Sequence, residues 1–171
     1  ATLAEAIECD LLLLLVDVGD PIAEIDRKLQ TSLRELSERV LESDHASIME
    51  RIQLVLTKSD TASKTSVDSA IEMVATHGFI NPIVISSHTG VGIEELRTTM
   101  LHSLFGPQRS VILHPGKQGD SAIEALLSKL FDTVYVHEHQ RNDNVIEVRI
   151  SASDETIAIL QATYGERIEL K

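Results

Sequence analysis

Tryptophan is absent from this 171-residue chain, and aromatic residues make up only 3% of it. That scarcity excludes a stacking platform for single-stranded nucleic acid, which works through exposed rings. It also leaves the core to Leu, Ile, Val and Ala, a palette suited to parallel sheets covered by helices. Basic residues are short as well: 15 Lys and Arg face 27 Asp and Glu, for a formal charge of −12 and a pI near 4.9. Long-range attraction to a phosphate backbone or an anionic membrane is therefore excluded for this stretch. The single cysteine, Cys9, excludes an intramolecular disulfide and reads as a reduced core thiol of a cytoplasmic protein. The apolar run Leu11 to Val16 is too short to span a bilayer, and Ala1-Thr2-Leu3-Ala4-Glu5 lacks the basic start of a signal peptide. Without an initiating Met, the chain is expected to be a processed or excised piece of a longer one.

What is present is ordinary globular composition, 43% apolar and 25% charged, enough for one or two small domains. Three apolar runs, Leu11 to Val16, Ile52 to Leu56 and Ile83 to Ile85, each end in small or polar residues, as strands buried on both faces do. Between the first two, Ile22, Ile25, Leu29, Leu33, Leu36 and Val40 form a helical stripe, with Pro21 in its first turn and a solvated acidic face from Glu24 to Glu42. Between the second and third, Val67, Ala70, Ile71 and Val74 form another, with Thr65 and Asp68 spaced as a capping box and Gly78 as a stop. A third helix carries Ile93, Leu96, Met100, Leu101 and Leu104. Strand and helix alternate as in a parallel α/β unit.

Gly106-Pro107 breaks this pattern and marks the expected boundary between domains at 1–105 and 106–171. Beyond it come a strand at Val111 to Leu113, a helix around Ile123 to Leu130, a strand at Val134 to His137 and a loop from Gln140 to Asn144. A strand at Val145 to Ile150, a helix around Ile157 and Leu160, and a strand at Ile168 to Leu170 complete a β-α-β-β-α-β order.

The chemistry is expected where strands two and three end, since ligands bind at the carboxyl edge of an open α/β sheet. Thr57-Lys58-Ser59-Asp60 has the form [N/T]-K-x-D. The Asp60 carboxylate can accept two parallel hydrogen bonds from the ring N–H and amino group of guanine, a donor pair that adenine lacks. Lys58 can lay its stem along the base, with its head toward the ribose and loop oxygens. From Ser86-Ser87-His88-Thr89-Gly90, the Ser87 N–H can donate to the guanine carbonyl, Ser86 can orient Asp60, and His88 can meet nucleotide or solvent. Taken singly the tetrapeptide is a weak signal; the paired strand-end loops give it force.

With these motifs the chain resembles the HflX family of translational GTPases. The stretch Ala1 to Leu13, running on through Val16-Asp17-Val18-Gly19-Asp20-Pro21, is similar to that family's "TLEE…ADLLLHVVDASDP". Leu54 to Asp60 falls where the family has "VLNKID", and Val84 to Leu96 where it has "ISAKTGEGLDEL". The likeness is strong through Leu96 and weak beyond. It implies an α/β fold: the second half of a P-loop GTPase, a Rossmann-like three-layer sandwich of parallel strands, followed by a small α+β ferredoxin-like domain. It also implies a parent protein that binds GTP and GDP, hydrolyses GTP with Mg2+ and associates with the ribosome, chiefly its large subunit. Thr57 departs from the usual Asn, keeping a hydroxyl that can donate to guanine N7 but losing an amide that ties neighbouring loops. Ser87 departs from the usual Ala, at a position where the backbone makes the contact.

No G-x-x-x-x-G-K-[S/T] phosphate loop and no D-x-x-G magnesium motif occurs in these residues; Gly116-Lys117 reads as a turn. No catalytic or metal-binding residue is assigned, and the chain alone is expected to be inactive. His114, His137 and His139 form at most a weak metal site beside the simpler reading of surface histidines. Two alternatives stand beside the GTPase reading. A circularly permuted ribosome-assembly GTPase would need a phosphate loop after Leu96, and a non-catalytic α/β interaction module would only mimic a guanine site. The unguarded strand 11–16 is expected either to pair with another copy or to be covered by a helix from Thr2 to Ile7.

Overall fold

A computed structural model of the chain describes residues 8–38, 45–116 and 120–171. The protein is mixed α/β, with a three-stranded parallel sheet and a separate four-stranded antiparallel sheet. It forms two compact units, Ala1–Thr98 and Thr99–Lys171. The division falls inside a helix, ahead of Gly106-Pro107.

The first unit contains β1 (Leu12–Asp17), α1 (Ile22–Ser37), α2 (His45–Arg51), β2 (Ile52–Thr57), α3 (Lys64–Thr76), β3 (Ile83–Val84) and the start of α4 (Ile93–Phe105). The strands lie in the order β1-β2-β3, all parallel, with Leu12 opposite Ile52 and Asp17 opposite Thr57, so β1 and β2 end level. Because successive side chains of a strand alternate in direction, β2 feeds two cores. Leu54 and Leu56 join Val16, Ile25, Leu29, Ala70 and Val74 on one face, while Val55 packs with Ile83, Ile85, Leu13 and Leu96 on the other. Each such Val, Leu or Ile side chain contributes roughly 1.5–3 kcal/mol by leaving water.

Local capping differs from expectation. Pro21 is the N-cap of α1 rather than part of its first turn, with extended backbone and its carbonyl accepting from the Glu24 and Ile25 N–H groups. Helix α3 starts at Lys64, and Ser63, not Thr65, caps it by accepting from the Ser66 N–H at 3.1 Å. Ser66 cannot form the reciprocal carboxylate bond of a capping box, so hydroxyl meets hydroxyl at 2.8 Å. Its C-terminus matches the sequence reading: Gly78 sits at φ +93, Gly78 N–H donates to Ala75 and Phe79 N–H to Val74, with Phe79 buried in the same cluster as Val74. Helix α2 was not expected, and Val40 and residues 2–7 lie outside the described residues. Cys9 is half-buried, its thiol donating to the Leu11 carbonyl at 3.2 Å, rather than a core residue.

The second unit runs β4 (Gln108–Leu113), α5 (Asp120–Thr133), β5 (Tyr135–Asn142), β6 (Val145–Ser151), α6 (Asp154–Tyr164), a 3-10 turn (Gly165–Arg167) and β7 (Ile168–Leu170). The sheet order is β5-β6-β4-β7, antiparallel throughout. Val111, Leu113, Ile146, Val148 and Ile150 pack beneath Ile123, Leu126, Leu130, Ile157 and Leu160 of the two helices. The expected loop from Gln140 to Asn144 shrinks to a two-residue hairpin turn, with Asp143 at φ +49. β5 is longer than its apolar start indicates because its outer half is polar and exposed yet fully paired to β6. Val134 is not part of β5 but the bend just after α5, its N–H bonded to the Leu130 carbonyl. No helix among the described residues is long and apolar enough to cross a membrane.

Candidate functional site

The loops that leave β2 and β3 meet at the carboxyl edge of the parallel sheet. Lys58 follows β2 immediately and takes a left-handed backbone, φ +62. An L-residue there costs on the order of 1–3 kcal/mol and needs surrounding bonds to hold it. Those bonds are present. The Lys58 carbonyl accepts the Thr61 N–H at 3.0 Å and the Thr61 hydroxyl at 2.9 Å, and the Ser59 N–H reaches the Ile85 carbonyl at 3.1 Å. The turn is thereby fixed to the end of β3.

The second loop is built around a buried hydroxyl. Ser86 is fully buried and donates its Oγ hydrogen to Asp60 Oδ1 at 2.6 Å, while the same oxygen accepts the Thr89 N–H at 3.1 Å. Its backbone closes the loop, with Ser86 N–H to Val91 carbonyl at 2.9 Å and Gly90 N–H to Ser86 carbonyl at 2.8 Å. Gly92, at φ +72, passes so close to β3 that a Cβ would lie 2.1 Å from the Val84 carbonyl oxygen. Only glycine fits there, which gives the S-S-H-T-G-V-G pattern a steric cause.

The Ser86 hydroxyl, with the Asp60 backbone N–H, holds the Asp60 carboxyl below its usual range, so the group is ionised at neutral pH. Asp60, Ser87 and His88 are exposed around the buried Ser86. The structure thus brings Lys58, Asp60, Ser86, Ser87 and His88 to one edge.

The expectation for Thr57 is corrected. The Thr57 hydroxyl does not point outward as a donor for a base; it donates to the Val16 carbonyl at 3.1 Å, and its single hydrogen is spent there. Together with the Val18 N–H to Thr57 carbonyl bond at 3.2 Å, it ties the ends of β1 and β2. The Lys58 ammonium is directed to an oxygen at the end of the neighbouring strand: it binds Asp17 Oδ2 at 2.5 Å. Asp17, which sequence reasoning missed, sits opposite Thr57 at the end of β1 and also accepts the Gly19 N–H at 2.9 Å. Lys58 and Gly19 together hold Asp17 below its usual range, and Asp17 in turn raises Lys58. The available signal was a carboxylate closing the first apolar run.

The histidines do not gather. His114 meets Glu169 at 3.1 Å, His137 meets Ser151 at 2.9 Å at a β-bulge, and His139 lies edge-on to Phe131. Among the described residues no group of three His, Cys, Asp or Glu side chains is arranged for a metal. A depression of about 360 Å3 on the second sheet is lined by charged residues that satisfy one another, Arg149 with Glu138 at 2.7 Å and Lys171 with Glu147 at 2.8 Å. It offers no unmatched charge to a ligand.

Neither the models of known protein families nor the curated proteins include a match to this chain.

Proposed function

We propose that this chain is the guanine-recognising part of an HflX-like GTPase, its first unit the second half of a P-loop GTPase sandwich and its second a ferredoxin-like domain. One observation carries the reading: the bond from Ser86 Oγ to Asp60 Oδ1 that joins the T-K-x-D turn to the S-S-H-T-G loop. A carboxylate oriented this way keeps acceptor capacity on both oxygens, which suits the two donors on the edge of guanine. The pair follows the carboxyl ends of β2 and β3, the kind of edge at which open parallel sheets bind ligands, which supports the reading. The strand order β5-β6-β4-β7 supports the ferredoxin-like reading of the second unit.

In this proposal the longer protein binds GTP, hydrolyses it with Mg2+ and works in the cytoplasm on the large ribosomal subunit. The phosphate loop and magnesium ligands come from outside these residues, so no step of hydrolysis falls to this chain. The permuted alternative is disfavoured because residues 97–171 contain no phosphate-loop motif. The interaction-module reading draws on Thr57, whose hydroxyl is already engaged.

Titration with guanosine monophosphate, followed by NMR of the backbone amides, separates the two. GMP is expected to shift Lys58, Asp60 and Ser87, with a Kd of about 1 mM or weaker for want of phosphate contacts. AMP should not. Asp60→Asn turns one acceptor into a donor and should move the preference to xanthosine monophosphate by on the order of tenfold or more. Equal response to GMP and AMP, or a selectivity indifferent to Asp60→Asn, would leave the interaction module.

A further inference from the structure

Lys58 belongs to the T-K-x-D turn, but what holds its side chain comes from another strand. Asp17 stands at the end of β1, opposite Thr57 in the parallel register. Its two oxygens do different work: Oδ1 accepts the Gly19 N–H at 2.9 Å and so is fixed by its own turn, which leaves Oδ2 to meet the Lys58 ammonium at 2.5 Å. Two further bonds hold these strand ends together, Thr57 Oγ1 to the Val16 carbonyl at 3.1 Å and Val18 N–H to the Thr57 carbonyl at 3.2 Å. These bonds fix where the Asp17 and Lys58 backbones stand relative to each other, and the Gly19 N–H helps hold the carboxylate toward the lysine.

We propose that Asp17 is a positioning residue of the base site: it anchors the Lys58 ammonium so that the lysine stem stays extended as one wall beside the base, while Asp60 reads the base's identity. The inference rests on the guanine-site reading above. A four-carbon stem carries several rotatable bonds, and ordering it at the moment of binding costs affinity. Anchoring its head beforehand removes part of that cost. Lys58 is 63% exposed and Asp17 31%, so water screens the pair and the gain is modest. The anchor carries no information about which base is bound, since its charge lies on the lysine head and not on the base edge. Asp17 and Asp60 thus divide affinity from selectivity.

The test uses Asp17→Asn, Asp17→Glu and Asp60→Asn in the whole chain, titrated with GMP, AMP and XMP. Asp17→Asn keeps the acceptor for Gly19 but loses the charge. It is expected to weaken GMP about two- to fivefold, with the GMP-to-XMP preference unchanged. The loss should shrink as salt rises and screens the pair in the wild type. Asp17→Glu, which restores the charge on a longer arm, should recover part of the affinity. The Lys58 Nζ resonance should broaden or move in Asp17→Asn and return toward the wild type in Asp17→Glu, a signature that a purely structural loss would not give. Amide exchange at Leu54 to Leu56 serves as the folding control. If Asp17→Asn binds GMP like the wild type while Asp60→Asn loses selectivity, the positioning role is wrong and the site reading stands. If Asp17→Asn itself changes base preference, Asp17 reads the base and the proposal is overturned. Should Asp17→Asn unfold the strand ends, the Asp17→Glu data decide alone: a folded variant whose Lys58 resonance matches the wild type but whose GMP affinity falls more than fivefold would refute the anchor. Indifference of Asp60→Asn would remove the site reading itself.

Discussion

Two glycines two residues apart in one loop should respond very differently to the same added methyl group. Gly90 and Gly92 both have left-handed backbones, φ +81 and +72. Alanine in that region costs about 1–2 kcal/mol at either position. At Gly90 nothing lies within 4 Å of the new Cβ, so that is the whole effect. At Gly92 the Cβ would lie 2.1 Å from the Val84 carbonyl oxygen and 3.0 Å from its carbon, both backbone atoms of β3. Neither can rotate away, and relief requires moving β3 or the loop by about 1 Å, an overpacking cost of roughly 1–3 kcal/mol more. Gly92→Ala is therefore expected to cost about 2–5 kcal/mol in all. The displacement falls on the segment whose Ser86 N–H bonds Val91 and whose Ser86 hydroxyl holds Asp60. Fluorescence is blind to it, since both tyrosines, Tyr135 and Tyr164, lie in the second unit. Amide hydrogen exchange is the suitable assay, reading Ser86, Thr89 and Gly90 against amides of the second unit as internal controls. Exchange should run about 5- to 150-fold faster in Gly92→Ala than in Gly90→Ala, the ratio that 1–3 kcal/mol implies. Equal exchange in the two variants would show that the close approach to Val84 does not constrain the loop.

Two further outcomes can be checked directly. Ser86→Ala removes the bond that chiefly lowers the Asp60 carboxyl, so its pKa should rise toward the ordinary 3.8, read by carbon NMR of the side chain. A carboxyl depressed in the folded state stabilises above its unfolded value and loses that contribution as pH falls through the folded value. The variant should accordingly lack a stabilisation that the wild type keeps near pH 4 and sheds below it; an unmoved Asp60 titration would contradict this. β1 is the edge strand of its sheet among the described residues, and Leu15 on it is 62% exposed. The chain should self-associate through that edge and Leu15→Lys should weaken the association, measured by light scattering; a wild type that stays monomeric at every concentration would overturn it.

The legible parts of the structure were those whose causes are local. Runs such as Leu54-Val55-Leu56 announce a strand buried on both faces, and Gly78 announces a helix end, because sequence neighbours alone set those patterns. Helix α2 escaped notice because, in seven residues, it has no room for a repeating apolar stripe. The Ser63 cap was hidden by a better-looking box at Thr65 and Asp68, which local spacing cannot tell from a true start. The outer half of β5 is polar, so its strand character comes from pairing with β6 rather than from alternation. The site divides along the same line. Ser86 and Asp60 could be paired in advance, each ending a recognisable strand, whereas Asp17 becomes a partner of Lys58 only once the register of β1 and β2 is known.

The orders of the two sheets also imply different assembly histories. In β1-β2-β3 every strand lies beside the one before it in the chain, so the first sheet can grow by one strand and its helix at a time as the polypeptide emerges. In β5-β6-β4-β7 the central strand β4 is made first, yet it finds its neighbours only after a helix and a hairpin on one side, and after a second helix on the other. The chain closed between Leu12 and Ile52 is about as long as that between Gln108 and Ser151, so what separates the two sheets is the order of pairing rather than the loop-closure cost. The β5-β6 hairpin can form early, but β4 keeps an open edge until Ile168–Leu170 arrives to pair with Val111–Leu113. The first unit is thus suited to progressive folding during synthesis, and the second to a single late closure.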